Sequence, residues 1–248
     1  MCDYSAANGE PSLFGQARQL NIAGLVPFST VDWPGKIVAS VFCQGCPWRC
    51  AYCQNYEILD FKVPGAVPFA ELEELLGRRK GLLDGVVFSG GEALAQAALI
   101  PAARWVKAQG FQVGLHAAGA YPSRLQAMLE DGLLDWVGLD IKALPADYRQ
   151  VTGVAGADKA FACLDAVLAS QVAYEVRLTV YPNHPGKVVE LARDLAERGV
   201  KNFALQQARE LGTSAEFKAQ ARGWDSQVKT WAKEIGQLGW ENFSFRPA

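Results

Sequence analysis

Four of the six cysteines in this chain fall within the eleven residues from Cys43 to Cys53. Their innermost pattern is Cys46-x3-Cys50-x2-Cys53. Three thiolates at that spacing can hold three irons of a cubane iron–sulfur cluster, whereas a cluster with a full protein shell takes four cysteines. One iron is then open for chemistry. The same sulfurs also allow a structural zinc site, with Cys43 as a fourth thiolate. A zinc knuckle, however, usually pairs two short arms across a longer loop, and no distant second pair exists here. A disulfide framework fits poorly, because a 248-residue chain that is 50% apolar needs no such staples.

The elements that position these sulfurs follow from hydrophobic patterning. Ile37 to Phe42 reads as a buried strand, which places the cysteines at a strand's C-terminal end. Ahead of it, Leu20 to Phe28 is a short strand ending in a Pro34-Gly35 turn. Behind it, strands at 84–88, 112–116, 136–141, 174–181 and 202–207 alternate with helices at 68–79, 93–109, 122–130, 159–170 and 186–198. A closing helix spans 216–238 and a last strand 242–245. Apolar strands separated by amphipathic helices imply a parallel sheet with right-handed crossovers. Six such units fit a partial (β/α)6 barrel, with a doubly wound open sheet as the alternative. In either architecture ligands collect at the C-terminal ends of the strands.

Chemically loaded residues recur at those ends. Ser89-Gly90-Gly91-Glu92 closes one strand, where absent β-carbons permit close approach to the backbone. His116 ends the next, able to bond a ligand or satisfy a carbonyl. Asp140 and Lys142 lie two apart, hence on one face, as an ion pair at a rim or the lining of a cleft. Glu175, Arg177 and Thr179 alternate along a strand and share a face, and the Arg177 guanidinium can grip a carboxylate bidentately. His184 reads as a loop residue, Gln206 and Arg209 as ordinary strand-end side chains, Cys163 as core and Cys2 as an incidental thiol.

The cysteine pattern, with Tyr52 just before its last member, resembles the cluster motif of the radical S-adenosylmethionine (SAM) enzymes. Ser29-Thr30-Val31-Asp32-Trp33-Pro34-Gly35-Lys36, a plain turn if taken alone, resembles the opening segment of glycyl-radical-enzyme activases. Activases of pyruvate formate-lyase usually carry Gly between Asp and Pro and Arg after the turn. Trp33 and Lys36 look more like the branch that activates anaerobic ribonucleoside-triphosphate reductase.

The resemblance, over roughly Leu20 to Arg209, implies an open barrel of radical SAM type. It also implies a four-iron, four-sulfur cluster on Cys46, Cys50 and Cys53, with SAM on the open iron. Gly90, Gly91 and Glu92 are then expected to accept hydrogen bonds from the SAM amino group, and Lys142 to meet its carboxylate. Asp140, Arg177, Tyr52 and His116 are expected as further contacts. At His116-Ala117-Ala118-Gly119 the chain departs from the polar side chains usual in related enzymes, which leaves backbone contacts there. The reaction implied is reductive cleavage of SAM with an electron from an unidentified donor, followed by hydrogen abstraction from a backbone glycine of a partner, here anaerobic ribonucleoside-triphosphate reductase. Another glycyl radical enzyme or a small molecule is the alternative substrate, and a zinc-stabilised binding module the alternative outside enzymes.

The net charge of −2 and the lack of long Lys/Arg runs argue against a nucleic-acid surface. No apolar stretch reaches the ~18 residues needed to span a bilayer. Residues 1–19 are aperiodic and read as a mobile leader to a single core domain over 20–248, in a soluble, cytoplasmic protein.

Overall fold

The computed structural model describes residues 12–184, 187–220 and 222–248. Its sheet contains Ile22–Ser29 (β1), Val38–Cys43 (β2), Gly85–Gly90 (β3), Gln112–Ala117 (β4), Trp136–Asp140 (β5), Ala173–Val180 (β6), Asn202–Gln207 (β7) and Asn242–Arg246 (β8). Their order in space is their order in sequence, from β1 to β8. The strands from β2 to β8 are parallel, as expected. β1, ahead of the six expected units, runs antiparallel to β2. The eight residues 30–37 that join them can make a hairpin loop, whereas a parallel crossover needs a dozen or more. No pairing joins β1 to β8 among the described residues, so the barrel is open.

The helices are Leu13–Ala17 (α1), Phe69–Arg78 (α2), Leu99–Ala108 (α3), Pro122–Glu130 (α4), Tyr148–Thr152 (α5), Ala157–Ala169 (α6), Val188–Glu197 (α7), Ala215–Lys218 (α8) and Asp225–Ile235 (α9). In α7 the buried residues Val188, Leu191, Ala192 and Leu195 make the stripe that a sheet-covering helix requires. Each such Val or Leu contributes about 1.5–3 kcal/mol by burial. With helices over their outer face, β2 and β3 are buried along nearly their whole length, which is why they read as continuous apolar runs.

Two expectations are corrected. The single closing helix over 216–238 is two, because the chain turns at Gly223 with φ +81° between α8 and α9. The helix expected over 93–109 begins as a short 3-10 turn at Ala93–Ala95, and its α-helical part starts at Leu99. Of the leader, residues 1–11, with Cys2, lie outside the described residues. The rest contains α1, with Ala17 buried and the Phe14 ring 6.2 Å from Trp105 of α3.

Inside the barrel, Trp33, Val38, Val87 and Trp136 form a separate apolar cluster near the N-terminal ends of the strands. The two indoles stack at 5.7 Å. Gly114 and Gly138 make room for them, since an added Cβ would stand 2.8 Å from the Trp33 ring and 2.7 Å from Trp136. The inward positions above this plug are polar, among them Ser40, Ser89, His116, Asp140, Arg177 and Thr179, in keeping with the two-residue period of each strand.

Candidate active site

A cavity of about 380 Å3 opens at the C-terminal ends of the strands. Cys46, Cys50, Tyr52 and Cys53 line one wall, Gly90, Gly91 and His116 another, and Asp140, Lys142 and Arg177 a third. Ten of the positions expected to matter thus meet around one space with Gln206 and Arg209 at its rim, and Glu92 does not.

The cysteine loop leaves β2 and is held by backbone hydrogen bonds from several sides. Gly45 N–H donates to the Ile58 carbonyl at 2.8 Å, Cys46 N–H to Leu59 at 3.1 Å and Arg49 N–H to Thr152 at 2.8 Å. The last bond explains the otherwise unforeseen α5, whose Tyr148 ring also takes the Trp48 indole edge-on at 5.6 Å. Cys43 is fully buried and is not among the lining residues; its carbonyl accepts from Gly91 N–H at 2.9 Å. Cys163 is buried in α6. Burial pushes the Cys46 thiol up to about 12 and raises Cys50 and Cys53, while Lys142 pulls each down by less.

Three thiols on one wall are the donor set that an iron–sulfur cluster with one open iron requires. Among the described residues no group of three or more His, Cys, Asp or Glu side chains converges tightly enough for a single metal ion. A zinc ion, with bonds of about 2.3 Å, needs its sulfurs within roughly 4 Å of one another. A cluster presents a separate iron to each thiolate, and its charge supplies the deprotonation that burial opposes.

Gly90 and Gly91 serve the loop as much as any ligand. A Cβ on Gly90, whose φ is +107°, would overlap the backbone of Cys43, and one on Gly91 would overlap the Gly45 carbonyl. The Gly90 carbonyl accepts from Asn55 Nδ2 at 2.7 Å. Glu92, expected to present a carboxylate to the ligand amine, has a different set of partners. Its side chain is fully buried, Oε1 accepts from Leu94 N–H at 3.2 Å, and Oε2 accepts from Ala118 N–H at 2.9 Å. Burial pushes this carboxyl up to about 7.

Asp140 bridges two cations. Its Oδ2 accepts from Lys142 Nζ at 3.0 Å and its Oδ1 from Arg177 Nε at 2.8 Å. Both bases are nearly buried, and Arg177 also donates to the Gly138 carbonyl at 3.2 Å. Burial raises the Asp140 carboxyl, yet the two cations outweigh it and hold the group below the usual carboxylate range; in turn Asp140 holds Lys142 well above its ordinary value. The Lys142 ammonium lies 5.6 Å from the centroid of the Tyr52 ring, so the cationic wall faces the cysteine wall.

His116 is engaged on both ring nitrogens, Nε2 with the Asp32 carbonyl at 2.7 Å and Nδ1 with Ser89 Oγ at 3.1 Å. His184 is a buried loop residue whose Nε2 donates to the Lys142 carbonyl at 3.2 Å. Sequence reasoning singled out the 29–36 segment without placing its Val31 and Asp32 at the cavity, and it missed Asn55, Trp48 and Arg246, all of which line it. Arg246, from β8, donates to Glu175 Oε2 at 2.7 Å. Only Asn55 left a usable signal, two residues beyond the last cysteine of the motif.

Residues 40–198 match the family model described as Radical SAM superfamily. A protein of Methanocaldococcus jannaschii provisionally described as a glycyl-radical enzyme activating enzyme is 30% identical over 168 residues, 65% of this chain and 68% of that one. The pyruvate formate-lyase-activating enzyme of Clostridium pasteurianum is 35% identical over 147 residues, and the match spans 57% of this chain and 58% of its own length. Among solved structures, Streptococcus suis SuiB bound to S-adenosylmethionine superposes with a TM-score of 0.64 at 13% identity, over 83% of this chain and 48% of SuiB, a likeness of fold. No helix among the described residues is long and apolar enough to cross a membrane.

Proposed function

The chain belongs to the Radical SAM superfamily, whose enzymes use a four-iron, four-sulfur cluster and SAM, and from that premise we propose that it installs a glycyl radical on anaerobic ribonucleoside-triphosphate reductase. One observation carries the reading: three thiols and the Asp140–Lys142–Arg177 array face each other across one cavity. Cys46, Cys50 and Cys53 would hold the cluster. When bound, the cluster would supply the one-electron reduction that cleaves SAM to methionine and 5′-deoxyadenosine, the hydrogen coming from a glycine Cα of the partner.

The protein's own part is position and charge. Lys142, kept cationic by Asp140, meets the SAM carboxylate as a point charge, and Arg177 stiffens the array from below. Gly90 and Gly91 keep the cysteine loop against the end of β3 and offer backbone to the amine. Tyr52 and His116 complete the walls, and Asp140 lies near the nucleoside. Glu92 acts beneath the surface, ordering the amides of Leu94 and Ala118. The electron comes from an external one-electron donor in the cytoplasm.

Trp33 and Lys36, in the activase-like opening segment, favour the reductase as partner. The similarity to the pyruvate formate-lyase-activating enzyme favours a second reading, activation of another glycyl radical enzyme. The deciding experiment mixes reconstituted, reduced protein and SAM with each partner and records electron paramagnetic resonance spectra. A glycyl doublet with the reductase is expected, and a doublet with pyruvate formate-lyase alone would overturn the assignment. Absence of 5′-deoxyadenosine in every mixture would defeat the activase reading, and full SAM cleavage by Cys50→Ala would defeat the assignment of Cys50 to the cluster.

A further inference from the structure

The loop between β1 and β2 reaches the active-site cavity through Val31 and Asp32, and Val31 is 79% exposed. A macromolecule approaching the cavity from that side meets this loop. Three contacts fix it to the barrel interior: the Trp33–Trp136 stack, Ser40 Oγ donating to Asp32 Oδ2 at 2.6 Å, and the His116 ring against the Asp32 carbonyl at 2.7 Å. Among the described residues the last continues to the other wall by a hydrogen bond. The opposite nitrogen of the same ring meets Ser89 Oγ at 3.1 Å, and Ser89 is bonded in sequence to Gly90.

The donors in this chain are determined. A carbonyl accepts only, so Nε2 carries the hydrogen. With the imidazole neutral, Nδ1 accepts, and the Ser89 hydroxyl donates to it. Burial beside the Arg177 guanidinium depresses His116 to about 3, which keeps the ring neutral, and the Trp136 indole packs edge-on at 5.6 Å to hold its orientation. The Asp32 and Asp140 carboxylates act in the opposite sense and are outweighed.

We infer that His116 is a positioning residue that joins the β1–β2 loop to the Ser89-Gly90 strand end, so that the wall met by the partner protein and the wall met by SAM are held as one unit. The inference rests on the activase reading for the identity of the two ligands. The hydrogen-bond chain itself belongs to the protein without them.

Two substitutions separate the two bonds. The amide of Gln reaches where Nε2 lies and keeps a donor for Asp32, whereas the amide of Asn reaches where Nδ1 lies and keeps an acceptor for Ser89. His116→Asn is expected to raise the partner concentration giving half-maximal glycyl radical by about fivefold, the loss of one neutral hydrogen bond, with a smaller change in SAM affinity measured by equilibrium dialysis. His116→Gln is expected to do the reverse. Equal shifts in both quantities for both variants, or no shift in either, would overturn the coupling.

A third measurement needs neither ligand nor turnover. The chain has two histidines, so long-range proton–nitrogen correlation of the 15N-labelled protein gives two ring patterns, one of which disappears in His116→Asn. That pattern is expected to be the Nε2–H tautomer. An Nδ1–H tautomer would remove the donor to Asp32 and refute the tether. Failure of the wild type to cleave SAM would refute the activase reading and leave the spectrum as the test of the hydrogen-bond chain.

Discussion

Gly91→Ala is the sharpest test of how the cysteine loop is held. A Cβ at residue 91 would overlap the Gly45 carbonyl oxygen, lie 2.6 Å from the Gly45 carbonyl carbon and crowd Cys46 Cβ at 3.2 Å. The obstacle is backbone, which cannot rotate out of the way as a side-chain end would. Overpacking of this kind costs about 1–3 kcal/mol. The displacement also breaks Gly91 N–H to Cys43 and Glu92 N–H to Gly45, both 2.9 Å, at about 1 kcal/mol each. The total, about 3–5 kcal/mol, corresponds to a fall in Tm of roughly 6–20 °C for a domain of this size. Thermal unfolding by circular dichroism measures it, and iron content after anaerobic reconstitution should fall with it, because Cys46 moves. Gly77→Ala, in α2 with nothing within 4 Å of its added Cβ, is the control and should be neutral or stabilising by up to about 1 kcal/mol. A Gly91→Ala protein with the Tm and iron content of the wild type would refute the claim that this glycine exists for the loop.

Asp140→Asn leaves Lys142 and Arg177, with side chains only 8% and 9% exposed, without their shared anion, and should lose about 3–5 kcal/mol in urea unfolding. Glu92 predicts a pH dependence. Its folded value of about 7 stands above the ordinary 4.5, so its contribution to stability is full below about 4.5, falls as pH rises and is gone above about 7. Unfolding midpoints measured at intervals across that window should decline in the wild type and stay flatter in Glu92→Gln. Trp33→Ala removes half of the indole stack that closes the barrel and should cost about 3–5 kcal/mol in denaturant unfolding.

The inner strands were legible because they lie in a sheet covered by helices and read as apolar runs, as Val38–Cys43 and Gly85–Gly90 do. Direction was not legible in composition. The antiparallel β1 follows only from the length of 30–37, once the ends of both strands are known. The cysteine wall and the Asp140–Lys142–Arg177 wall were visible because charge and sulfur stand out in apolar surroundings. Glu92 shows the limit: its carboxylate stood out for the same reason, but its orientation toward the Leu94 and Ala118 amides depends on contacts 2 and 26 residues away in sequence. Asn55 showed only by its place two residues beyond the last cysteine, because an amide carries neither charge nor period, and α5 did not show because five residues are too few to establish one.

The sheet order from β1 to β8 bears on biosynthesis. Because every new strand is neighbour to the one made just before it, the sheet can grow in step with an emerging chain, each crossover closing over a short separation. The cysteine loop, between β2 and β3, belongs to the early part of that growth. Arg246 and Pro247, which also line the cavity, are translated about two hundred residues later. A nascent chain therefore presents its three thiols from an unfinished barrel, with one wall of the cavity still unmade and a broad path for iron and sulfide delivery.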